Sequence, residues 1–294
     1  MYLVIGANGF LGRYCIQSIL EQTDENVTAT ARNIQNLENT GRVHWEKCDI
    51  ALESEFDRLL SMIKEYDRIK VIFLAAYHNP DLVEANPSYA WDINVTALSR
   101  CLNKMPFVER LFYASTDSVY GDSIDHYHFK ENDPLNPVNR YGRNKAAAEA
   151  VVRYLEFHVV RFPFLIGTSL VPGKRHFYDN IVENLTNGKT VEMFENSYRS
   201  SLHFHTAASL LIQLMEMPLR EVPPILNVCG DRDLSKYDIG LLAAEKLQIP
   251  EKLIKPIKIF ENDAVFKTKR AVSTVMDNTL VKKVLQVDTI EFEL

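Results

Sequence analysis

Short, nearly continuous apolar runs alternate with longer amphipathic stretches through the first half of the chain. The runs "YLVI" (2–5), "VTATAR" (27–32), "VIFLAA" (71–76), "RLFYAS" (110–115) and "FHVVRF" (157–162) read as strands. Helices are expected from about Phe10 to Glu21, after a polar stretch to about Tyr66, around "SYAWDINVTALSRCLNKM" (88–105), and around "RYGRNKAAAEAVVRYL" (140–155). Strands that alternate with helices predict parallel pairing through crossovers. Runs without strict polar alternation predict a sheet covered on both faces, hence a doubly wound α/β fold of Rossmann type. After Pro163 the rhythm loosens. Gly167, Pro172, Gly173, Gly188, Pro218, Pro223, Pro224 and Gly230 punctuate shorter elements, which predicts a smaller C-terminal α/β lobe.

Composition narrows the function classes. The 294 residues, 46% of them hydrophobic, are enough for a full core, and the net charge of −6 argues against a surface that tracks nucleic-acid backbone. Cys15, Cys48, Cys101 and Cys229 lie far apart and form no C-x-x-C pair. That argues against zinc ligation and a disulfide framework, so no metal site is expected. A first strand at residue 2 leaves no room for a secretory leader, and no apolar run approaches the ~20 residues of a membrane span. The expected setting is cytoplasmic, away from membranes.

"GANGFLGR" (6–13) follows the first strand and opens the first helix. In this pattern Gly6 permits a sharp turn, Gly9 lets backbone approach a pyrophosphate, and Gly12 lets the helix pack on the sheet. The second strand ends on Arg32 where an acid would read a ribose 2′-hydroxyl. Arg13 adds a second positive charge. Together they favour NADP(H), with NAD(H) still usable; a solvated surface arginine is the plain alternative.

"STDSVYG" (115–121) and "YGRNK" (141–145) bring candidate chemistry. Tyr141 and Lys145 stand at i and i+4 on one helix face, where a cation can favour the phenolate of a tyrosine whose free pKa is about 10. With "GANGFLG", Asp49 and Ile50 of "CDI", "FLAA" (73–76), Asn94 and Thr116, the chain resembles the extended short-chain dehydrogenases/reductases. Within them it is most similar to the dTDP-4-dehydrorhamnose reductase group. "AAYHNPDLVEANPSYAWDINV", "STDSVYGD" and "NVCGDRDLSKYDIGLLAAEKL" carry that similarity into the second lobe.

The resemblance implies a dinucleotide-binding domain over 1–163 with a return segment near 203–229, and a substrate lobe over 164–202 and 230–294. It implies NADPH-dependent reduction of the C4 ketone of a nucleotide-linked 4-keto-6-deoxy sugar, for a surface-polysaccharide deoxysugar. Tyr141 would donate the proton and Thr116 would hydrogen-bond the same oxygen. Lys145 would hold the nicotinamide ribose and lower the tyrosine pKa, and Asn94 would steady the active-site helix. Cofactor contacts would come from Gly6, Asn8, Gly9, Phe10, Leu11, Gly12, Arg13, Arg32, Asp49, Ile50, Leu74, Ala75, Ala76, Tyr141, Lys145 and Phe164. His78, Thr116, Asp117, Tyr141, Phe164 and Arg199 would meet the substrate, Arg199 at its diphosphate.

Alternatives differ at particular positions. Sugar-nucleotide dehydratases follow their "TD" with a glutamate, and here that position is Ser118. Epimerases commonly carry an asparagine where this chain has Phe164, which either shields the sugar or simply packs in the core. The family's aspartate after the arginine is replaced by Thr206. Lys174, Arg175 and His176 are expected near the cleft or in a basic loop, and His78 either touches substrate or makes a structural hydrogen bond. An epimerase using the cofactor transiently is the second reading. A non-catalytic NADP-binding regulatory subunit, as in methionine adenosyltransferase, is the third. A homodimer through the helix bearing Tyr141 and Lys145 is also implied, although "AAAEAVVRYL" could be buried within one subunit.

Overall fold

The computed structural model describes residues 1–259 and 266–294. The first half runs β1 (Tyr2–Ile5), α1 (Phe10–Gln22), β2 (Val27–Ala31), β3 (Val43–Lys47), α2 (Glu53–Ile63), β4 (Lys70–Phe73), α3 (Pro80–Ala85), α4 (Pro87–Trp91), α5 (Leu98–Asn103), β5 (Arg110–Thr116), β6 (His128–Phe129), α6 (Arg140–Tyr154) and β7 (His158–Phe162). The second half continues with β8 (Leu165–Ile166), α7 (Phe177–Thr186), β9 (Val191–Phe194), β10 (Tyr198–Arg199), β11 (Leu202–His203), α8 (Phe204–Glu216) and β12 (Ile225–Asn227). It closes with β13 (Leu234–Ser235), α9 (Lys236–Leu247), β14 (Ile254–Ile257), β15 (Val275–Met276) and α10 (Thr279–Leu285).

Seven strands form one parallel sheet in the order β12-β7-β5-β4-β1-β2-β3. Its apolar runs are explained by burial on both faces. In β1, Tyr2 and Val4 enter the core beneath α1 and α8, while Leu3 and Ile5 enter the one beneath α2, α5 and α6. Strand order reverses between β1 and β4, so their carboxyl ends, with that of β5, open a crevice.

Three departures from the sequence reading have clear causes. The polar stretch before α2 contains β3, whose alternation buries Val43 and Trp45 but leaves His44 and Lys47 outside, as an edge strand does. The helix expected over 88–105 is α4 and α5 joined by a π-helical turn, Asp92–Ala97, which carries Asn94. The C-terminal segment is shared between lobes: Val281 and Ile290 enter the core beside α8 and β12, whereas Phe292 joins that of α7 and α9. An apolar face on α10 that fits the open flank of β12 accounts for this.

The return segment completes the main sheet, with α8 packed on α1 and β12 paired to β7. The second lobe is built on α7, α9 and the parallel pair β9–β14. In α6, Ala148 and Val152 face inward while Tyr154 is exposed. Among the described residues no helix is long and apolar enough to cross a membrane.

Candidate active site in the interlobe cleft

The turn after β1 is built for close approach. Gly6 has φ +86°, and a Cβ there would lie 2.7 Å from the Ala75 backbone nitrogen; a Cβ on Gly12 would lie 2.5 Å from the Ala7 carbonyl oxygen. Only glycine therefore lets β1, the loop after β4 and α1 meet. Gly9 caps α1 without any side chain occupying the helix's first N–H groups, so they remain open to an anion. Gly6, Gly9, Phe10, Leu11, Gly12, Leu74 and Ala76 line one end of a cleft of ≈ 630 Å³. Such a cradle fits a dinucleotide pyrophosphate.

Other expected cofactor residues stand outside the cleft wall. Asn8 accepts hydrogen bonds from Arg13 Nε and Nη2 at 3.2 and 3.0 Å, and the Arg13 guanidinium lies 4.7 Å from the Trp45 ring centre. Burial lowers the Arg13 pKa below its ordinary value. Arg32 is exposed just past β2. Asp49 accepts from the Ala51 N–H at 3.0 Å, and Ile50 is buried. Trp45, which holds Arg13 in place, was hidden in the stretch read as polar.

The middle of the cleft gathers Thr116, Asp117, Ser118, Tyr141 and Lys145. Thr116 ends β5, where its hydroxyl donates to Asp117 Oδ1 at 2.9 Å and accepts from the Ser118 N–H at 3.2 Å. Asn139 caps α6 by accepting from the Gly142 N–H at 2.9 Å, which sets Tyr141 and Lys145 toward the cleft. Burial and then the Asp117 charge push the Tyr141 phenol above its ordinary range, partly offset by hydrogen bonding with Thr116. Lys145 is 3% exposed, donates to the Ala114 carbonyl at 2.5 Å and sits 4.0 Å from the Tyr113 ring centre. Burial lowers its pKa to about 7, against a raising effect of Glu149. The expected lowering of the tyrosine pKa by Lys145 is absent from this arrangement, because the ammonium is turned to a carbonyl and burial of the phenol dominates.

Asn94 receives the Tyr77 N–H at 2.7 Å and donates to the Tyr77 carbonyl at 3.0 Å. It thus pins the loop after β4 directly, while its π turn packs on α6. His78 keeps exposed surface as a residue, but the surrounding cleft desolvates its imidazole, which with Lys145, Lys174 and Arg32 keeps it below the usual range. A bond to the Ala76 backbone opposes that shift.

Arg199, expected at a substrate diphosphate, lines the cleft and is also held from within the protein. Its Nε stands 3.3 Å from Asp117 Oδ2, and its remaining nitrogens donate to the carbonyls of Tyr198, Ala271 and Val272 at 2.7, 2.8 and 2.9 Å. With most donors committed internally, Arg199 holds Asp117 against Thr116 and Ser118. Burial raises the Asp117 pKa, and Arg199 together with those hydrogen bonds opposes the rise. Phe164 lines the cleft and packs edge-on against Phe177 at 5.6 Å. Lys174 and His176 also line it, whereas Arg175 pairs outward with Glu183.

Several cleft residues escaped the sequence reading: Phe194, Lys236, Phe266 and Arg270. "LSKYD" carried one signal, a Ser235–Asp238 capping box that starts α9 with Lys236 as its first residue. Behind the cleft, Glu149 is held by Ser115 and Arg161, and Arg161 by Tyr120, in a buried network.

A family model described as RmlD substrate binding domain matches residues 1–294. The chain belongs to that family. The "Probable low-salt glycan biosynthesis reductase Agl14" of Haloferax volcanii is 28% identical over 224 residues, covering 72% of this chain and 70% of that protein. Mouse methionine adenosyltransferase 2 subunit beta is 24% identical over 273 residues, covering 87% and 74%. A solved dTDP-4-dehydrorhamnose reductase of Bacillus anthracis in complex with NADP superposes with a TM-score of 0.79 at 16% identity, covering 99% and 94%. That last likeness speaks for the Rossmann fold of this RmlD-family chain.

Proposed function

We propose that the protein is a nicotinamide-dependent reductase of a nucleotide-linked 4-keto-6-deoxy sugar, with NADP(H) preferred. One observation carries the reading: Thr116, Tyr141 and Lys145 meet in a single cleft between a glycine cradle and a cationic second lobe. Gly6, Gly9, Gly12 and the open N-terminus of α1 would hold the dinucleotide, and Arg32 and Arg13 would supply the charge that an added 2′-phosphate needs. The bound nicotinamide supplies the hydride.

The chain's own residues supply the rest. Tyr141, a phenol protonated at neutral pH whose pKa burial raises further, gives its proton to the ketone oxygen. The Thr116 hydroxyl, which donates to Asp117 Oδ1 in this structure, would turn its one proton to the same oxygen. Lys145 would release the Ala114 carbonyl to donate to a ribose hydroxyl and, only once so turned, would favour the phenolate left after transfer. Ser118 donates to Asp117 Oδ1 at 3.2 Å and offers no carboxylate for the proton removal that water elimination requires.

The test is NADPH consumption with dTDP-, UDP-, GDP- and CDP-linked 4-keto-6-deoxy sugars. At least one is expected to be reduced stoichiometrically, and Tyr141→Phe is expected to lower kcat by about a hundredfold while NADPH affinity holds. A variant keeping more than about a tenth of wild-type turnover removes the tyrosine from its role. NADPH binding without consumption on any sugar supports a regulatory subunit, and conversion without net consumption supports an epimerase.

A further inference from the structure

We infer that residues 266–272 form a strap over the rim of the interlobe cleft, latched to α3 through Asp81 and Glu84. Release of this latch admits ligands to the second-lobe half of the cleft. Phe266, Arg270 and Ala271 line the cavity from the strap, and Pro80 of α3 lines it from the first lobe. The two walls meet at the latch. The Thr268 N–H donates to Asp81 Oδ1 at 3.1 Å and its hydroxyl to Glu84 Oε2 at 3.3 Å, while Arg270 Nη2 lies 3.0 Å from Asp81 Oδ1. Asn139, whose Oδ1 caps α6, donates through Nδ2 to the Lys269 carbonyl at 3.0 Å. The strap thus touches the cap that sets Tyr141 and Lys145.

Uneven anchoring makes the strap a gate rather than a fixed wall. At one end Phe266 completes a cage with Phe164, Phe177 and Phe194, whose ring centres lie 5.8, 5.6, 5.2 and 5.6 Å from the Lys236 ammonium, and ring faces attract a cation. At the other end Arg199 donates to the Ala271 and Val272 carbonyls, the Ser123 N–H to that of Ser273 at 2.8 Å, and the Thr274 N–H to that of Tyr198 at 3.0 Å. Among the described residues, 266–270 makes no backbone-to-backbone hydrogen bond, and its polar hold on the first lobe comes from the side chains of Asp81, Glu84 and Asn139. Lys267 and Lys269 are exposed. The closed latch leaves Arg270 Nη1 buried with no hydrogen-bond partner, a donor that water satisfies once the strap lifts. A few side-chain bonds set against one orphaned donor give a contact that opens locally while both ends stay fixed.

Limited trypsin digestion of the full chain, with cleavage sites mapped by mass spectrometry, tests the latch without any ligand. In the double variant Asp81→Asn, Glu84→Gln, cleavage after Lys267 and Lys269 is expected to be about fivefold faster than in wild type. Cleavage after Lys145, buried in α6, is expected to keep its rate. Unchanged strap cleavage overturns the latch. So does a rise that cleavage after Lys145 shares, which marks global unfolding. Stopped-flow binding of ANS, an apolar anionic dye suited to the ring-lined, cationic cleft, tests the gate. The wild-type rate is expected to level off as dye concentration rises, because opening limits entry, and the plateau to be about fivefold higher in the variant. Equal plateaus, or rates that rise linearly in both proteins, overturn the gate. Neither measurement depends on the substrate proposed above.

Discussion

His176 shows how strongly one residue can be set by its neighbours. Its ring centre lies 4.9 Å from those of Phe10 and Phe204 and 6.1 Å from that of Phe164, and Nδ1 is buried without a partner. Burial lowers its pKa from 6.5 to about 4, and burial does the same first of all for His203. A base with a folded-state pKa below its unfolded value takes its proton in the unfolded state first. Stability is therefore expected to be full above pH 6.5 and to fall as pH drops toward 4, on the order of 3 kcal/mol for each histidine. Urea unfolding at pH 7 and pH 4.5 checks this: His176→Phe should remove roughly half of the acid-induced loss, and an unchanged loss would exclude His176 as a source. At this scale the sequence was informative about identity and silent about environment. Tyr141 and Lys145 were legible from i, i+4 spacing, but the Ala114 carbonyl that takes Lys145 comes from another strand.

Elements were legible where local pattern and tertiary demand agree. β1 could be read because burial on both faces demands four apolar residues in a row, and α1 because glycines and an amphipathic run follow it. β3 was missed because an edge strand needs only alternate burial, and "VHWEK" satisfies that with polar letters. The π turn around Asn94 was missed because one extra residue per turn barely disturbs helical periodicity. The α1 packing makes its own prediction. Gly12→Ala would force a methyl to within 2.5 Å of Ala7 oxygen, so the helix must shift from the sheet. The expected cost is about 1–3 kcal/mol in urea denaturation, with weaker NADPH binding; full stability would mean that the helix moves freely.

Across the whole molecule, the lobes and the sheet are tied behind the cleft by a buried ion pair. Arg161 on β7 donates to Glu149 on α6 at 2.6 Å and to Tyr120 at 2.6 Å; Tyr120 donates to Asn227 of β12 at 2.8 Å, and Asn227 donates to the Phe129 carbonyl of β6 at 2.9 Å. β6 in turn pairs with β15 of the C-terminal segment. Arg161→Met, leaving Glu149 uncompensated, is expected to cost about 3–5 kcal/mol, and adding Glu149→Met should recover part of it. Strict additivity of the two substitutions in urea denaturation would show that the pair is not coupled. By itself the sequence determined the family, the parallel sheet and the glycine turn and pointed to Thr116, Tyr141 and Lys145, because short motifs and periodic burial can be read along a chain. Only the tertiary structure decided that Arg199 serves Asp117, that Lys236 stands in a cage of four rings, and that α10 returns to the main sheet. Those outcomes depend on which distant segments converge in a low-dielectric interior, where a charge must find its partner in space rather than in sequence.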